Sequence, residues 1–154
     1  MGKFYEGLGN ELSLYVKHLA WLNTAPKEPQ QGKRKSKDAP PPPTRMARMK
    51  GDGIEPELPP CPAPHLIAHL MEVGPFEVTG MDRVTVSWRE IDAWIERTGF
   101  AVAAWEVRLL RRLSNDYLSS SRAAEDPHCP APWSAKPTQS NRDAIERKLL
   151  RVFG

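Results

Sequence analysis

Apolar side chains recur at intervals of three and four in several stretches of this chain and lose all periodicity between them. In residues 4–22 the stripe is Leu8, Leu12, Tyr15, Leu19 and Leu22, with Val16 beside it, which is the spacing of one helix face. Gly7 and Gly9 weaken its first turn. The face is too small to form a core alone, so this helix either docks on a later part of the chain, self-associates or meets a partner. From residue 24 to 64 the period disappears, and eleven of the sixteen prolines fall there, including the run Pro40 to Pro43. Proline fixes φ and removes an amide donor, so the stretch reads as a linker, extended near the polyproline run and otherwise disordered.

Periodicity resumes at His65, where Leu66, Ile67, Leu70, Met71 and Val73 make a short apolar helix stopped by Gly74 and Pro75. Residues 76–86 alternate loosely through Val78, Met81, Val84 and Val86 and read as a connecting loop with room for one short extended piece. Ser87 followed by Glu90 is a capping-box signal ahead of Trp88, Ile91, Trp94 and Ile95, and Gly99 closes that helix. A third helix runs from about Ala104 to Ser121 through Trp105, Leu109, Leu113 and Tyr117, with Val107, Leu110 and Leu118 widening its apolar face. Arg108, Arg111 and Arg112 fall on its other side. Prolines 127, 130, 132 and 137 then interrupt the chain before Ser140 and Asp143, which cap a short basic amphipathic helix through Ile145, Leu149, Leu150 and Phe153.

The pattern predicts an all-α protein. Its parts are a separate N-terminal amphipathic helix (1–23), a disordered basic Pro-rich linker (24–57), a small three-helix domain (58–122), and a Pro-rich tail with a short basic helix (123–154).

Length and charge narrow the functional classes. The 154 residues hold one ordinary domain. The formal net charge of +3 conceals a segregation, because residues 24–50 carry +6 and the remainder about −3. A low net charge argues against a dedicated nucleic-acid binder, which needs many basic groups on one surface. No apolar run approaches the roughly 20 residues of a membrane-spanning helix, and no secretion signal opens the chain. A cytoplasmic protein is expected, with Cys61 and Cys129 as free thiols.

Candidate chemistry is sparse. Cys61, His65 and His69 sit four apart, and His128 with Cys129 could add metal ligands. Pro62 and Pro64 interrupt that spacing, so these residues read as surface groups, and neither metal nor cofactor is expected. No nucleophile elbow, phosphate loop or metalloprotease motif is present. Glu90 with Asp92, and Asp116 with Glu125, read as solvated carboxylates, which predicts a non-enzyme without a small-molecule substrate. Arg108, Arg111 and Arg112 beside the helices at 87–98 and 104–121 suggest a helix-turn-helix. The apolar content of Trp105 to Leu113 suits a buried helix better than one in a wet groove. Trp88, Trp94 and Trp105, within eighteen residues, either form the core or leave at least one indole lining a partner groove.

The stretch Val84 to Ser121 resembles the C-terminal part of tail assembly chaperones of long-tailed bacteriophages. The resemblance rests on Ser87, Trp88, Glu90, Ile91, Ala93, Trp94, Thr98, Gly99, Trp105, Glu106, Val107, Leu110, Leu113, Tyr117 and Leu118. With the preceding Leu-Pro-Pro and short helix, residues 58–73, it spans about 65 of the 154 residues. Ala104 stands where the family often has proline, and His65 to Met71 where it often has an aromatic-rich helix. The resemblance implies a non-structural protein of the host cytoplasm that coats the tape measure protein and helps tail tube subunits assemble around it. On that reading partners meet Trp88, Ile91, Trp94, Trp105, Leu109, Arg108 and Arg112, with weak salt dependence. The alternatives are a helix-turn-helix regulator that binds DNA and a small anti-defence protein that binds a host factor.

Overall fold

A computed structural model describes residues 2–27, 40–135 and 139–153. Among them the order of elements is α1 (Gly2–Leu22), α2 (Arg45–Gly51), α3 (Pro64–Val73), β1 (Glu77–Thr79), β2 (Asp82–Val84), α4 (Trp88–Thr98), α5 (Ala104–Ala123) and α6 (Gln139–Phe153). The protein is broadly all-α, with a single two-stranded antiparallel hairpin pairing Glu77 with Val84 and Thr79 with Asp82. That hairpin occupies the segment expected as a connecting loop. Val78 on β1 and Met81 in the turn lie exposed, whereas Val86, just past β2, is buried.

The hub is α5. Val107, Leu109, Leu110, Leu113, Tyr117 and Leu118 are all buried, about half the helix circumference, because α1, α3 and α4 all pack on it. The N-terminal helix, set out as a separate part with its docking left open, is therefore docked. Leu12, Val16 and Ala20 of α1 belong to the same core as Leu66, Leu70, Ile91 and Leu113, so the boundary drawn before residue 58 does not divide the packing. Three polar bridges fix the register: Arg112 donates to Asn10 (2.8 Å), Ser13 donates to Asp116 (2.7 Å), and Ser120 donates to the Lys17 carbonyl (2.7 Å). Their near-constant sequence offset means that α1 and α5 run parallel. Gly9 lies beneath the Arg112 side chain, where a Cβ would stand 2.5 Å from a guanidinium nitrogen.

The expected linker is also partly built into the body. Thr44 caps α2, accepting from the Ala47 amide (3.2 Å). Arg45, buried, donates to the carbonyls of Trp21 (3.3 Å) and Asp126 (3.0 Å) and lies 4.6 Å above the Trp21 ring. Carbonyl dipoles and an indole face replace the water that the guanidinium loses. This arginine ties the end of α1 to the turn after α5, and further along the segment the Glu57 carbonyl meets His18 (3.1 Å). The lysine-rich part of the linker, Lys33 to Lys37, lies outside the described residues.

Local signals set the remaining boundaries. Ser87 Oγ accepts from the Glu90 amide (3.2 Å), and its own N–H and O–H donate to the Glu77 carboxylate (2.8 and 2.9 Å), coupling the hairpin to the start of α4. Gly99 ends α4 in the left-handed region at φ 73°, with its amide on the Ile95 carbonyl, where an L side chain is disfavoured. The Glu106 carboxylate accepts from the Ala103 amide (3.2 Å) at the start of α5. Ser114, fully buried in mid-helix, accepts from the Val86 amide (2.9 Å) and donates to the Pro75 carbonyl (2.8 Å), so a single hydroxyl pins two loops. The last helix is held by Asn141, whose carboxamide pairs with both the amide and the carbonyl of Glu55, and by a Lys148–Asp52 ion pair at 2.7 Å.

Candidate functional site

The residues expected to meet a partner separate into two groups. Ile91 is fully buried, and Trp94 and Leu109 are each 9% exposed; all three belong to the shared core, Ile91 and Trp94 from α4 and Leu109 from the α1-facing side of α5. The Trp94 ring lies against His69 (4.9 Å between centroids) and Phe100 (5.6 Å). Trp94 Nε1 and His69 Nδ1 are both buried without a hydrogen-bond partner. Trp105 is half-buried against Tyr5 of α1, 4.8 Å away, and caps the α1–α5 seam.

Trp88, Arg108 and Arg112 come together on the surface. Trp88 opens α4 and is 47% exposed. With Thr85, Arg108, Arg111, Arg112 and Asn115 it lines a cleft of about 390 Å³ between the end of the hairpin and the outward face of α5. Helical spacing sets the arrangement, because positions 108, 111, 112 and 115 share one side of a helix. The Arg111 guanidinium lies 4.9 Å from the Trp88 ring centroid, and its Nε donates to the Val86 carbonyl (3.3 Å). Arg112 is held by Asn10 and, more loosely, by Asp116 at 3.8 Å. Thr85 and Asn115 form the polar floor, joined at 3.4 Å. The sequence placed Arg111 with the DNA-binding alternative and not among the residues that meet a protein partner. Its spacing from Arg108 was a usable signal, whereas its stacking on Trp88, twenty-three positions away, was not.

A second hollow, of about 270 Å³, opens between α1, α2 and α6 and is largely apolar, lined by His18, Trp21, Met49, Trp133 and Ile145 among others. His18 stacks on Trp21 (5.7 Å) and meets Trp133 edge-on (5.6 Å), with Nε2 3.1 Å from the Glu57 carbonyl. That contact assigns the proton to Nε2 and leaves Nδ1 buried without a donor. Burial lowers the imidazole pKa, only partly opposed by the Glu57 hydrogen bond. Beside this hollow the last two turns of α6 expose Leu149, Leu150, Val152 and Phe153.

The residues weighed as metal ligands do not converge. His69 belongs to the Trp94 cluster, His65 packs edge-on to it at 6.0 Å, and the described residues contain no group of three or more His, Cys, Asp or Glu side chains placed to hold an ion. No helix among the described residues is long and apolar enough to cross a membrane. No protein-family model, curated protein or solved structure matches this chain.

Proposed function

We propose that this chain is a non-enzymatic binding protein that acts in the host cytoplasm as a tail assembly chaperone of a long-tailed bacteriophage. It holds segments of the tape measure protein while tail tube subunits assemble. The observation that carries this reading is the exposure of Trp88 at the mouth of a cleft with three guanidiniums. Most positions of the Val84–Ser121 resemblance have a role in folding here: Ser87 and Gly99 are caps, Glu106 accepts the Ala103 amide, and Ile91, Trp94, Val107, Leu110, Leu113, Tyr117 and Leu118 are core. Trp88 is the most exposed large side chain among them, at 47%, and Trp105 is partly covered by Tyr5. Tryptophan and arginine dominate the energetics of protein interfaces, because each combines a wide contact area with directional polar groups.

This site also modifies the expected chemistry. A purely apolar contact predicted weak salt dependence, whereas an indole flanked by arginines makes the interaction sensitive to ionic strength. The test is a pull-down with the full chain from cells in which phage tails are being made, read by mass spectrometry. Recovery of the tape measure or tail tube protein, lost with Trp88→Ala, is the expected result. Recovery of neither, or recovery unaffected by Trp88→Ala, would overturn the reading.

A further inference from the structure

We propose that the Trp88–arginine cleft is a carboxylate-binding site for an acidic helical segment of the partner, one in which two glutamates or aspartates flank an apolar side chain. This rests on the binding-protein reading above and goes beyond it in naming the chemistry recognised.

The argument starts from unequal neutralisation along α5. At its C-terminal end and beyond, each arginine has a carboxylate: Arg122 pairs with Asp82 (3.3 Å) and Arg83 with Glu125 (3.4 Å), which also receives Lys27 (2.9 Å). At the cleft three arginines fall within five residues, and the carboxylate that meets them is Asp116. It lies 3.8 Å from Arg112 and already accepts from Ser13 at 2.7 Å. Among the described residues neither Arg108 nor Arg111 forms an ion pair. Like charges three and four apart on a helix repel, so the folded chain carries an excess of positive charge here that an incoming anion would relieve.

Two of the three guanidiniums are already positioned. Arg111 is fixed between the Trp88 face and the Val86 carbonyl, and Arg112 by Asn10. Their planar forks match the geometry of a carboxylate, and the ordering that binding would otherwise require has been met in advance. The exposed part of the indole gives an apolar residue between two carboxylates somewhere to pack.

Charge distribution selects an acidic polypeptide over a nucleic acid. Around the cleft the positive charge is local, because α4 alongside it carries Glu90, Asp92 and Glu96 against Arg89 and Arg97, and α1 balances Lys3 and Lys17 with Glu6 and Glu11. A phosphate backbone needs a basic stripe many residues long, whereas the cleft offers three arginines within five residues.

The experiment uses the full chain, isotopically labelled, and follows the Trp88 indole and arginine side-chain resonances. The probe is a helical peptide of about 15 residues with two glutamates four apart around a leucine. Parallel arms use the same peptide with glutamines, a short DNA duplex and inorganic phosphate. The expected result is that the glutamate peptide shifts the cleft resonances and binds about tenfold or more tighter than the glutamine peptide, as charge-assisted forks require. Raising salt from about 50 to about 300 mM weakens it several-fold, and Arg108→Gln weakens it about fivefold or more with the melting temperature unchanged. Equal binding of the glutamine peptide, tighter binding of DNA, phosphate binding as tight as the glutamate peptide, or shifts outside the cleft would each overturn the proposal. Glutamate-peptide binding without capture of a tail protein ends the chaperone reading and leaves this one standing. Capture that survives Arg108→Gln does the reverse.

Discussion

Leu12→Ala asks whether α1 belongs to the body. Leu12 is fully buried, one turn past the Gly9–Arg112 contact, in the cluster shared with α3, α4 and α5. Removing three carbons from that position loses about 2.4 kcal/mol of transfer free energy at ~0.8 kcal/mol per methylene. The unfilled cavity raises the total to about 3–4 kcal/mol, within the range for buried leucines. For a chain of this size that lowers the melting temperature by roughly 6–15 °C. Urea unfolding followed in parallel by far-ultraviolet circular dichroism and tryptophan fluorescence is the assay, with Leu150→Ala, on the exposed face of α6, as a control expected within about 0.5 kcal/mol. Both probes should shift together, since α1 and the Trp94 cluster unfold as one unit. A loss below about 0.5 kcal/mol, or a helicity change separated from the fluorescence transition, would refute the docked arrangement.

Four further perturbations test other joints. Ser114→Ala leaves the Val86 amide and the Pro75 carbonyl without their shared hydroxyl and should cost about 2–4 kcal/mol by denaturant titration; a change within experimental error would remove Ser114 as the pin. Gly99→Ala forces a side chain into the left-handed region and should cost about 1 kcal/mol, read by the same titration, whereas a neutral result would contradict the cap. Gly9→Ala gains about 1 kcal/mol of helix propensity but pushes the flexible end of Arg112 off Asn10. Stability should hold or rise while glutamate-peptide binding weakens, and unchanged binding would count against a role for Arg112. His18 has its pKa lowered from 6.5 by burial, so the unfolded chain takes up a proton that the folded chain resists. Stability from this group is fully present above about pH 6.5 and declines below it. Thermal melts from about pH 7.5 to 5 should fall more steeply for the wild type than for His18→Phe, and parallel slopes would rule out His18 as the cause.

The parts of the fold written in local chemistry were legible in the sequence. Ser87, Gly74 and Gly99 marked the helix ends, and the four-residue steps from Trp105 to Tyr117 marked the buried side of α5. The docking of α1 was not, because an amphipathic stripe announces that a face is buried and not which face covers it; its partner lies about a hundred residues away. Arg45 misled for a related reason. A charged residue among prolines reads as solvated, and only the converging carbonyls of Trp21 and Asp126 make its burial tolerable. The candidate site was half legible. Trp88 and Trp94 stand about 120° apart around α4, each about 60° from Ile91, so helical phase alone could not decide which of the two enters the core. The conversion of Arg111 from a solvated arginine into a wall of the cleft depends on the hairpin delivering Val86 beside α5, which no local pattern encodes.

The claim that the cleft receives the partner is tested most directly by hydrogen exchange on the full chain, alone and in complex with the captured tail protein. The account predicts added protection concentrated at Thr85 to Arg89 and along the first half of α5, with α6 unchanged. Protection confined to α6, or none around Trp88, would contradict it.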